Sequence, residues 1–294
     1  MSARPDHALD ARLIRRSFDR ASATYDASAV LQREVRSVLI ERLDLTKLEP
    51  RVVLDAGAGT GQACPALKRR YPKARVLALD FAFGMLKAAA ARRSWFRPFF
   101  VLGADAARLP LADASVDLVL SNFMLPWCDP DAVFAEFRRV LAPRGFLTFT
   151  SLGPDTLREL RAAWAQVDPH RRVLEFVDMH DLGDALVRAG FSEPVLDVER
   201  YTLEYADVHA LARDLKAVGA SNAARERLRG LTGPRTFAAM QSAYEVHRRA
   251  DRLPATYEVV FGQAWSPLQS ALRKDGAVGI ALEAVRRQLP ARRR

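Results

Sequence analysis

The stretch Val52-Val53-Leu54-Asp55-Ala56-Gly57-Ala58-Gly59-Thr60-Gly61 decides the fold. A short apolar run ends in an aspartate and is followed by three glycines at alternate positions. Runs of this length are typical of buried strands, and glycine lets a turn bring its backbone close to a ligand. Where such a turn opens a helix, the free amide groups of the first helical turn face the same ligand. The stretch therefore predicts a strand, a glycine-rich turn and a ligand-binding helix start.

Strands and helices alternate on the carboxyl-terminal side of this stretch. Apolar runs predict strands at 75–80, 99–103, 116–121 and 146–150, with helical sequence between them, including 132–141. Strands that alternate with helices form a parallel sheet covered on both faces, so the predicted fold class is α/β. After Ser151 the sequence is mostly helical, at 156–167, 179–189, 208–218 and 234–249, with one or two strands in 193–204 and a last strand at 255–263.

The same pattern predicts four parts of the chain. Residues 1–45 are a helical lid, with a break near 22–26, and residues 46–152 are a Rossmann-like ligand-binding core. Residues 153–264 are a second, mostly helical lid together with the remaining strands of the sheet. Residues 265–294 are a basic tail that we expect to be partly disordered.

Composition excludes several classes of protein. Of the 294 residues, 49% are hydrophobic and 27% are charged, as in ordinary globular proteins. No apolar run approaches the roughly 18 residues of a membrane helix, and residues 1–10 lack the apolar core of a secretion signal. The two cysteines, Cys64 and Cys128, fit a reducing compartment. We therefore expect a cytoplasmic protein that does not bind membranes.

The positive charge is a weak guide to partners. The net charge is +10, and residues 265–294 hold seven basic and two acidic side chains, so half of that net charge lies in the tail. No nucleic-acid-binding motif accompanies the charge, and we expect no nucleic-acid partner. An acidic protein partner would need a local basic patch, such as Arg138-Arg139 or the cluster 225–229.

Two further aspartates follow neighbouring predicted strands. Asp80 ends the second strand, 25 positions after Asp55, close to the roughly 20 expected of an acid that holds a ribose diol. Asp105 follows the third strand. The glycine turn carries no basic residue to meet a phosphate, which argues against a dinucleotide.

The Asp-x-Gly-x-Gly-x-Gly turn and these acids resemble the Rossmann-like class I methyltransferases that use S-adenosylmethionine (SAM). The resemblance implies SAM as the cofactor, with Gly57 and Gly59 beside its methionine part and Asp80 on its ribose. It places Asp105 and Ala106 at the adenine edge, and Asn122 and Phe123 toward the sulfonium. The remaining implied cofactor-binding residues are Asp55, Ala56, Gly61, Phe81 and Met85.

Four other stretches are more specific. Residues 17–32, 153–160, 214–222 and 255–262 resemble the BioC family, the malonyl-acyl-carrier-protein O-methyltransferases of biotin synthesis. This resemblance covers roughly residues 12–265. It implies that the acceptor is the free carboxyl of malonyl-acyl carrier protein, whose methyl ester primes pimeloyl synthesis for biotin. We expect the protein to be a monomer.

Methylation of a carboxylate sets modest chemical demands. A carboxylic acid titrates near pH 4 and is ionised at pH 7, so no general base and no catalytic side chain is nominated. The protein must align the acceptor and exclude water. The predicted substrate-binding residues are Tyr25, Gln32, Arg158 and Arg161, since a phenol and a guanidinium suit a carboxylate. The histidines show no metal-ligand spacing, and no metal is expected.

Two alternatives stay open at this point. Residues 153–160 also resemble a mitochondrial complex I assembly factor that is thought to hydroxylate arginine, so a methyltransferase fold alone does not settle the reaction. Another small-molecule SAM methyltransferase is the second alternative. The pattern Phe-Asp-Arg-Ala at 18–21, with the downstream Tyr25 and Gln32, and the lack of an acid-poor transit segment favour the BioC family.

Overall fold

A computed structural model describes residues 9–224, 230 and 232–268, and the backbone of 273–274 and 277–278. The helices are α1 Ala11–Ala21, α2 Tyr25–Ser28, α3 Val30–Glu41, α4 Cys64–Arg70, α5 Phe83–Ala91, α6 Pro130–Val140, α7 Arg158–Ala165, α8 Met179–Ala189, α9 Val208–Ala217 and α10 Pro234–Tyr244, with 3₁₀ turns at Arg42–Leu45, Leu125–Trp127 and Glu245–His247. The strands are β1 Val52–Ala56, β2 Arg75–Asp80, β3 Phe100–Gly103, β4 Val116–Asn122, β5 Leu141–Leu152, β6 Ser192–Tyr205 and β7 Leu253–Trp265, followed by the short pair β8 Arg273–Lys274 and β9 Ala277–Val278.

The first seven strands form one sheet in the order β3-β2-β1-β4-β5-β7-β6. Strands β1 to β5 are parallel, and β7 runs antiparallel to both β5 and β6. The strand order reverses between β1 and β4, which pair directly through Val53 and Leu118. In open α/β sheets ligands bind at the carboxyl edge of the sheet at this kind of switch point.

Apolar side chains cover both faces of the sheet. On one face, α3, α4, α7, α9 and α10 contribute buried residues such as Leu39, Leu67 and Tyr244. On the other face, α6 and α8 contribute Phe134 and Leu186 among others. The strands are therefore buried on both sides, which is why β1 and β4 are nearly continuous apolar runs.

Helix α1 is fastened to two other parts of the chain. It begins after Asp10, whose side chain accepts a hydrogen bond from the Leu13 amide at 3.1 Å. Asp19 accepts a hydrogen bond from the Gly84 amide of α5 at 2.8 Å. The Ser17 hydroxyl lies 2.8 Å from that of Ser221, just after α9. Helix α1 thus bridges the glycine-turn half of the molecule and the later helical segment.

The α/β class and the alternation of strands and helices are confirmed, with differences at three boundaries. Strand β5 begins at Leu141, not at 146, because Leu141 pairs with Val116 and the predicted turn around Arg144 is an irregularity within the strand. Residues 193–204 belong to one strand. Helix α7 begins at Arg158 because Leu157 has a left-handed backbone, with φ of 55°.

Two sequence predictions fall elsewhere. The basic cluster 225–229 and most of the tail 265–294 lie outside the described residues. In the part of the chain that the structure describes, no helix combines the length and the apolar character needed to cross a bilayer.

Gly262→Ala should destabilise the fold by about 1–3 kcal/mol, the usual effect of overpacking. Gly262 pairs with Phe149 across the sheet, and a Cβ at position 262 would lie 2.2 Å from the Phe149 ring. Gly183→Ala in α8 is the control, because its new Cβ would meet Leu196 at an ordinary 3.6 Å. Removing a glycine from a helix interior should stabilise by about 0.5–1 kcal/mol. Urea unfolding measures both, and equal effects would contradict this account.

Candidate active site

The glycine loop, residues 57–61, is fastened to the end of β2 by its own amide groups. The amides of Gly57 and Ala58 both donate to the Leu79 carbonyl at 2.8 Å. The Gly59 amide donates to Oδ2 of Asp80 at 2.9 Å. Gly57, Gly59 and Gly61 all have positive φ, at 72°, 55° and 75°, which L side chains rarely adopt. The loop geometry therefore depends on glycine.

Gly57 also makes room for the segment that follows β4. A Cβ at position 57 would lie 2.6 Å from Cβ of Met124, nearer than real side-chain atoms approach. Neither the backbone angle nor the space at this position admits another residue.

The Asp80 carboxylate holds the loop and its own following turn. Its Oδ1 accepts a hydrogen bond from the Ala82 amide at 2.8 Å, and only 8% of the residue is exposed. Burial raises the pKa of Asp80, while the amides of Ala82 and Gly59 act in the opposite direction.

A cavity of about 770 Å³, here called the glycine-loop cavity, opens in front of these residues. Among the predicted cofactor residues, those that line it are Gly57, Gly59, Asp80, Phe81, Met85, Asp105, Ala106, Asn122 and Phe123. Ile14 and Phe18 of α1 cover it. Its described lining contains two carboxylates, Asp80 and Asp105, and no lysine, arginine or histidine. These residues fit a cationic nucleoside such as SAM and provide no cationic side chain for a pyrophosphate.

Three predicted cofactor residues lie behind the loop and do not line the cavity. The Ala56 carbonyl accepts a hydrogen bond from the buried Ser121 hydroxyl at 2.9 Å. Gly61 faces Ala89 of α5, whose Cβ would be 3.0 Å from a Cβ at position 61. Asp55 is 2% exposed and accepts a hydrogen bond from the Cys64 thiol at 3.5 Å. These residues support the loop from beneath.

A second cavity, here called the apolar cavity, adjoins the first and has a volume of about 1000 Å³, part of which is open to solvent. The two cavities share four aromatic residues, Phe18, Tyr25, Phe123 and Trp127. The Phe18 and Trp127 rings meet edge to face with centroids 5.3 Å apart. These aromatic side chains border the passage between the cavities.

Two of the predicted substrate residues, Tyr25 and Gln32, line the apolar cavity. Within the described chain, the Tyr25 hydroxyl makes no hydrogen bond, and burial followed by the negative charge of Asp80 raises its pKa. It is therefore a protonated donor at neutral pH. The Gln32 carbonyl accepts a hydrogen bond from Nδ2 of Asn122 at 3.1 Å, which ties α3 to the end of β4.

The structure does not bring Arg158 and Arg161 to either cavity. Arg158 is more than half exposed and pairs with Glu159 at 3.3 Å. Arg161 donates to the carbonyls of Pro154 and Thr156 at 2.7 and 2.8 Å. Arg161 therefore stabilises the turn before α7, and Arg158 pairs within the first turn of that helix.

Arg172 is the guanidinium that lines the apolar cavity, and the sequence interpretation missed it. It pairs with Asp168, donates to the Thr232 hydroxyl at 3.1 Å and lies over the Trp164 ring at 5.0 Å. The spacing of four positions between Asp168 and Arg172 is at most a signal for an ion pair. It held no information about the cavity, because residues 166–178 form an irregular segment.

Asp26, in α2, joins the predicted N-terminal lid to the glycine loop. Its carboxylate accepts hydrogen bonds from the Thr60 hydroxyl at 2.6 Å and the Gln62 amide at 2.5 Å, and it pairs with Arg92. Burial is the largest single influence on Asp26 and would raise its pKa, but the hydrogen bonds from Thr60 and Gln62 and the Arg92 charge together lower it. The Arg92 Nε also donates to the Thr60 carbonyl at 3.0 Å, which closes the network.

The fold and the site together define a class I SAM-dependent methyltransferase. Residues 54–149 match the protein family described as a methyltransferase domain. The chain belongs to the malonyl-[acyl-carrier protein] O-methyltransferase family. A member from Methylovorus sp. (strain MP688) is 54% identical over 91% of this chain and 93% of its own. A member from Laribacter hongkongensis is 51% identical over 90% of this chain and 92% of its own. The resemblance drawn from the sequence is confirmed.

Solved structures support the fold alone. A methyltransferase-like protein from Bacillus halodurans has a TM-score of 0.56 at 18% identity, over 79% of this chain and 99% of its own. The [4+2]-cyclase SpnF has a TM-score of 0.51 at 20% identity, over 80% of this chain and 81% of its own. One architecture therefore supports different reactions, and the residues of the site must carry the functional argument.

Asp26→Ala should weaken SAM binding roughly 5- to 30-fold, because the loss leaves the buried Thr60 hydroxyl of the glycine loop without its acceptor and removes a tie between α2 and the loop. Isothermal titration calorimetry measures the dissociation constant. Asp44→Ala is the matched control, since the Asp44 side chain is 69% exposed and, among the described residues, pairs only with Arg70. Equal SAM affinity in wild type and Asp26→Ala would show that the network does not hold the lid.

Asp55 should make the apo protein less stable as the pH rises. Burial raises the pKa of Asp55 to about 7, against 3.8 ordinarily, with smaller opposing influences from Cys64 and Arg36. Between these values the unfolded chain releases a proton that the folded chain retains, so the free energy of unfolding falls. Asp55→Asn should remove a loss of about 2 kcal/mol between pH 5 and pH 8. Urea unfolding across that range tests this, and parallel curves for wild type and variant would contradict it.

Proposed function

We propose that this protein transfers the methyl group of SAM to the free carboxylate of a malonyl thioester carried on acyl carrier protein. The observation that carries the proposal is the pair of adjoining cavities. One has carboxylates and the glycine loop for a cationic nucleoside. The other is mostly apolar and includes the phenols of Tyr25 and Tyr257, the Asp214 carboxylate and the Arg172 guanidinium. The relatives from Methylovorus and Laribacter bear the name of this reaction.

The reaction needs alignment more than acid–base chemistry. Bound SAM supplies an electrophilic methyl group on sulfur, and the acceptor carboxylate is already ionised at neutral pH. Phe18, Phe123 and Trp127 exclude water from the passage, which leaves the carboxylate less solvated and more reactive. No side chain has to take up a proton.

In the cofactor half, we propose that Asp80 holds the ribose hydroxyls, with Asp105 and Ala106 at the adenine. We place the amino-acid part of SAM beside Gly57 and Gly59, which line the cavity. Asn122 and Phe123 lie where β4 ends, so we place the methyl group beside them. Asn122 is held there, because its Oδ1 accepts a hydrogen bond from the Thr150 hydroxyl at 2.9 Å.

In the acceptor half, we propose that Tyr25 and Arg172 bind the malonyl carboxylate and that Gln32 shapes the entrance to the cofactor. A guanidinium has five N–H donors, of which Arg172 uses three on Asp168 and Thr232. The two others are available to a carboxylate. The apolar lining, including Leu160, Leu203 and Leu215, suits the neutral methyl ester product and the uncharged part of a pantetheine arm.

The direct test uses a labelled methyl group. Malonyl-acyl carrier protein incubated with methyl-labelled SAM and this protein should gain label in a base-labile ester. Acetyl-acyl carrier protein, which has no free carboxylate, should gain none. Absence of label despite measurable SAM binding would overturn the proposal.

We further propose that the protein is a cytoplasmic monomer, and light scattering measures the oligomeric state.

Tyr25→Phe should lower turnover about 10-fold or more and change SAM affinity less than threefold, because it removes one hydrogen bond to the charged acceptor. Tyr244→Phe is the control, since Tyr244 lines neither cavity and its hydroxyl donates a hydrogen bond to the Pro254 carbonyl at 2.9 Å. It should lower stability by about 1 kcal/mol without changing turnover. A loss of SAM affinity that exceeds the loss of turnover would assign Tyr25 to the cofactor.

A further inference from the structure

The outer face of α1 is a stripe of arginines. Arg12, Arg15, Arg16 and Arg20 are all exposed. At 3.6 residues per turn they fall within about 140° of the helix circumference. The opposite face carries the buried Ile14, Ser17 and Ala21. These four arginines are called the α1 arginine stripe below.

The stripe is not neutralised by the rest of the described chain. None of its four side chains forms an ion pair or a hydrogen bond with any described residue. The one acid of α1, Asp19, is engaged by the Gly84 amide. Four unpaired charges on one helix face repel one another, so an anionic partner there is stabilising.

Another basic patch that the sequence suggested is already engaged. Arg139 pairs with Glu136 and Asp113 at 2.7 Å and donates to the carbonyls of Leu109 and Leu111. Its neighbour Arg138 donates to the Gly190 carbonyl at 3.3 Å. Docking at this pair would have to break internal contacts, whereas docking at the α1 arginine stripe would not.

The position of α1 connects the stripe with the acceptor half of the site. The inner face of α1 covers the glycine-loop cavity, and Phe18 lines both cavities. The segment after α9 also lines the apolar cavity and is joined to α1, through Ser17 and Ser221 and through the Asp10 amide and the Ala223 carbonyl at 2.9 Å. A macromolecule seated on the stripe is therefore one helix thickness from the reaction site.

We propose that the α1 arginine stripe docks the acidic surface of the acyl carrier protein and so delivers its malonyl arm to the apolar cavity. This inference rests on the proposed function. Acyl carrier proteins are strongly acidic, which matches the stripe in sign. Complementary charge chiefly raises the association rate and makes it sensitive to salt.

The test compares two acceptors that differ only in the carrier. Steady-state methylation is measured with malonyl-acyl carrier protein and with malonyl-pantetheine, which lacks the protein. Arg12→Glu/Arg16→Glu should raise KM for the carrier-bound acceptor about 10-fold or more at low salt and abolish the salt dependence of kcat/KM. The variant should methylate malonyl-pantetheine as wild type does. Arg93→Glu/Arg97→Glu is the matched control, with the same charge change on the exposed loop before β3, at the amino end of that strand, away from the glycine loop at the carboxyl ends.

Several results would overturn the docking proposal. An unchanged KM of Arg12→Glu/Arg16→Glu for the carrier-bound acceptor would show that the carrier docks elsewhere. An equal rise in KM for the control variant would show that only the net charge of the protein matters, and not the position of the stripe. A matching loss with malonyl-pantetheine shows that the variant disturbs the lid. Fluorescence anisotropy of labelled malonyl-acyl carrier protein separates docking from the reaction. If wild type methylates neither acceptor, the proposed function fails, and docking then stands only if the carrier binds wild type and not Arg12→Glu/Arg16→Glu. Tighter binding of duplex DNA than of the carrier would also overturn it.

Discussion

The hydrogen bonds between the glycine loop and the end of β2 are the constraint on which the rest of the site depends. Three successive amides, from Gly57 to Gly59, donate to the Leu79 carbonyl and the Asp80 carboxylate. Their partners lie on the neighbouring strand, so the β1–β2 register, with Ala56 opposite Leu79, fixes the loop. A shift of one residue would move Asp80 to the other face of the sheet. Parallel pairing in the core therefore sets the position of a polar group at the edge.

Helices α1 and α2, which the sequence predicts to be part of a lid, depend on the same loop. Asp26 accepts hydrogen bonds from Thr60 and Gln62, which directly follow Gly59 and Gly61. Asp19 accepts one from the amide of Gly84, at the start of α5. Each contact pairs a lid carboxylate with a donor of the core. The aromatic residues of the lid, Phe18 and Tyr25, are thereby placed against Phe123 and Trp127. The hydrogen bonds of Asp19 and Asp26 thus position the aromatic residues that border the passage between the cavities. Polar contacts within the passage itself would compete with a ligand.

Local signals allowed much of this to be predicted from the sequence, and long-range contacts account for what was missed. The glycine turn and Asp80 can be predicted from the sequence, because an apolar run that ends at a glycine or an acid is recognisable within a few residues. The inward orientation of Asp55 was not predictable, since β1 is buried on both faces and shows no alternation. Arg172 was missed for a different reason. Its place in the apolar cavity depends on how the irregular segment before α8 lies across α7, and no spacing rule describes that.

The net charge counted from the sequence does not show which basic side chains are already paired in the folded chain. The net charge of +10 counts Arg42, Arg139 and Lys68 equally with the arginines of α1. In the folded chain, Arg42 pairs with Asp197 and Glu199, and the buried Lys68 donates to the carbonyls of Pro72 and Ala74. Such charges stabilise the fold and offer little to a partner, because their donors are in use. The charges that remain for recognition are those of basic side chains that make no ion pair or hydrogen bond with another described residue. On α1 these side chains lie on one face, because the opposite face must be apolar to cover the cavity. The amphipathic pattern that closes the site therefore also produces its charged outer surface.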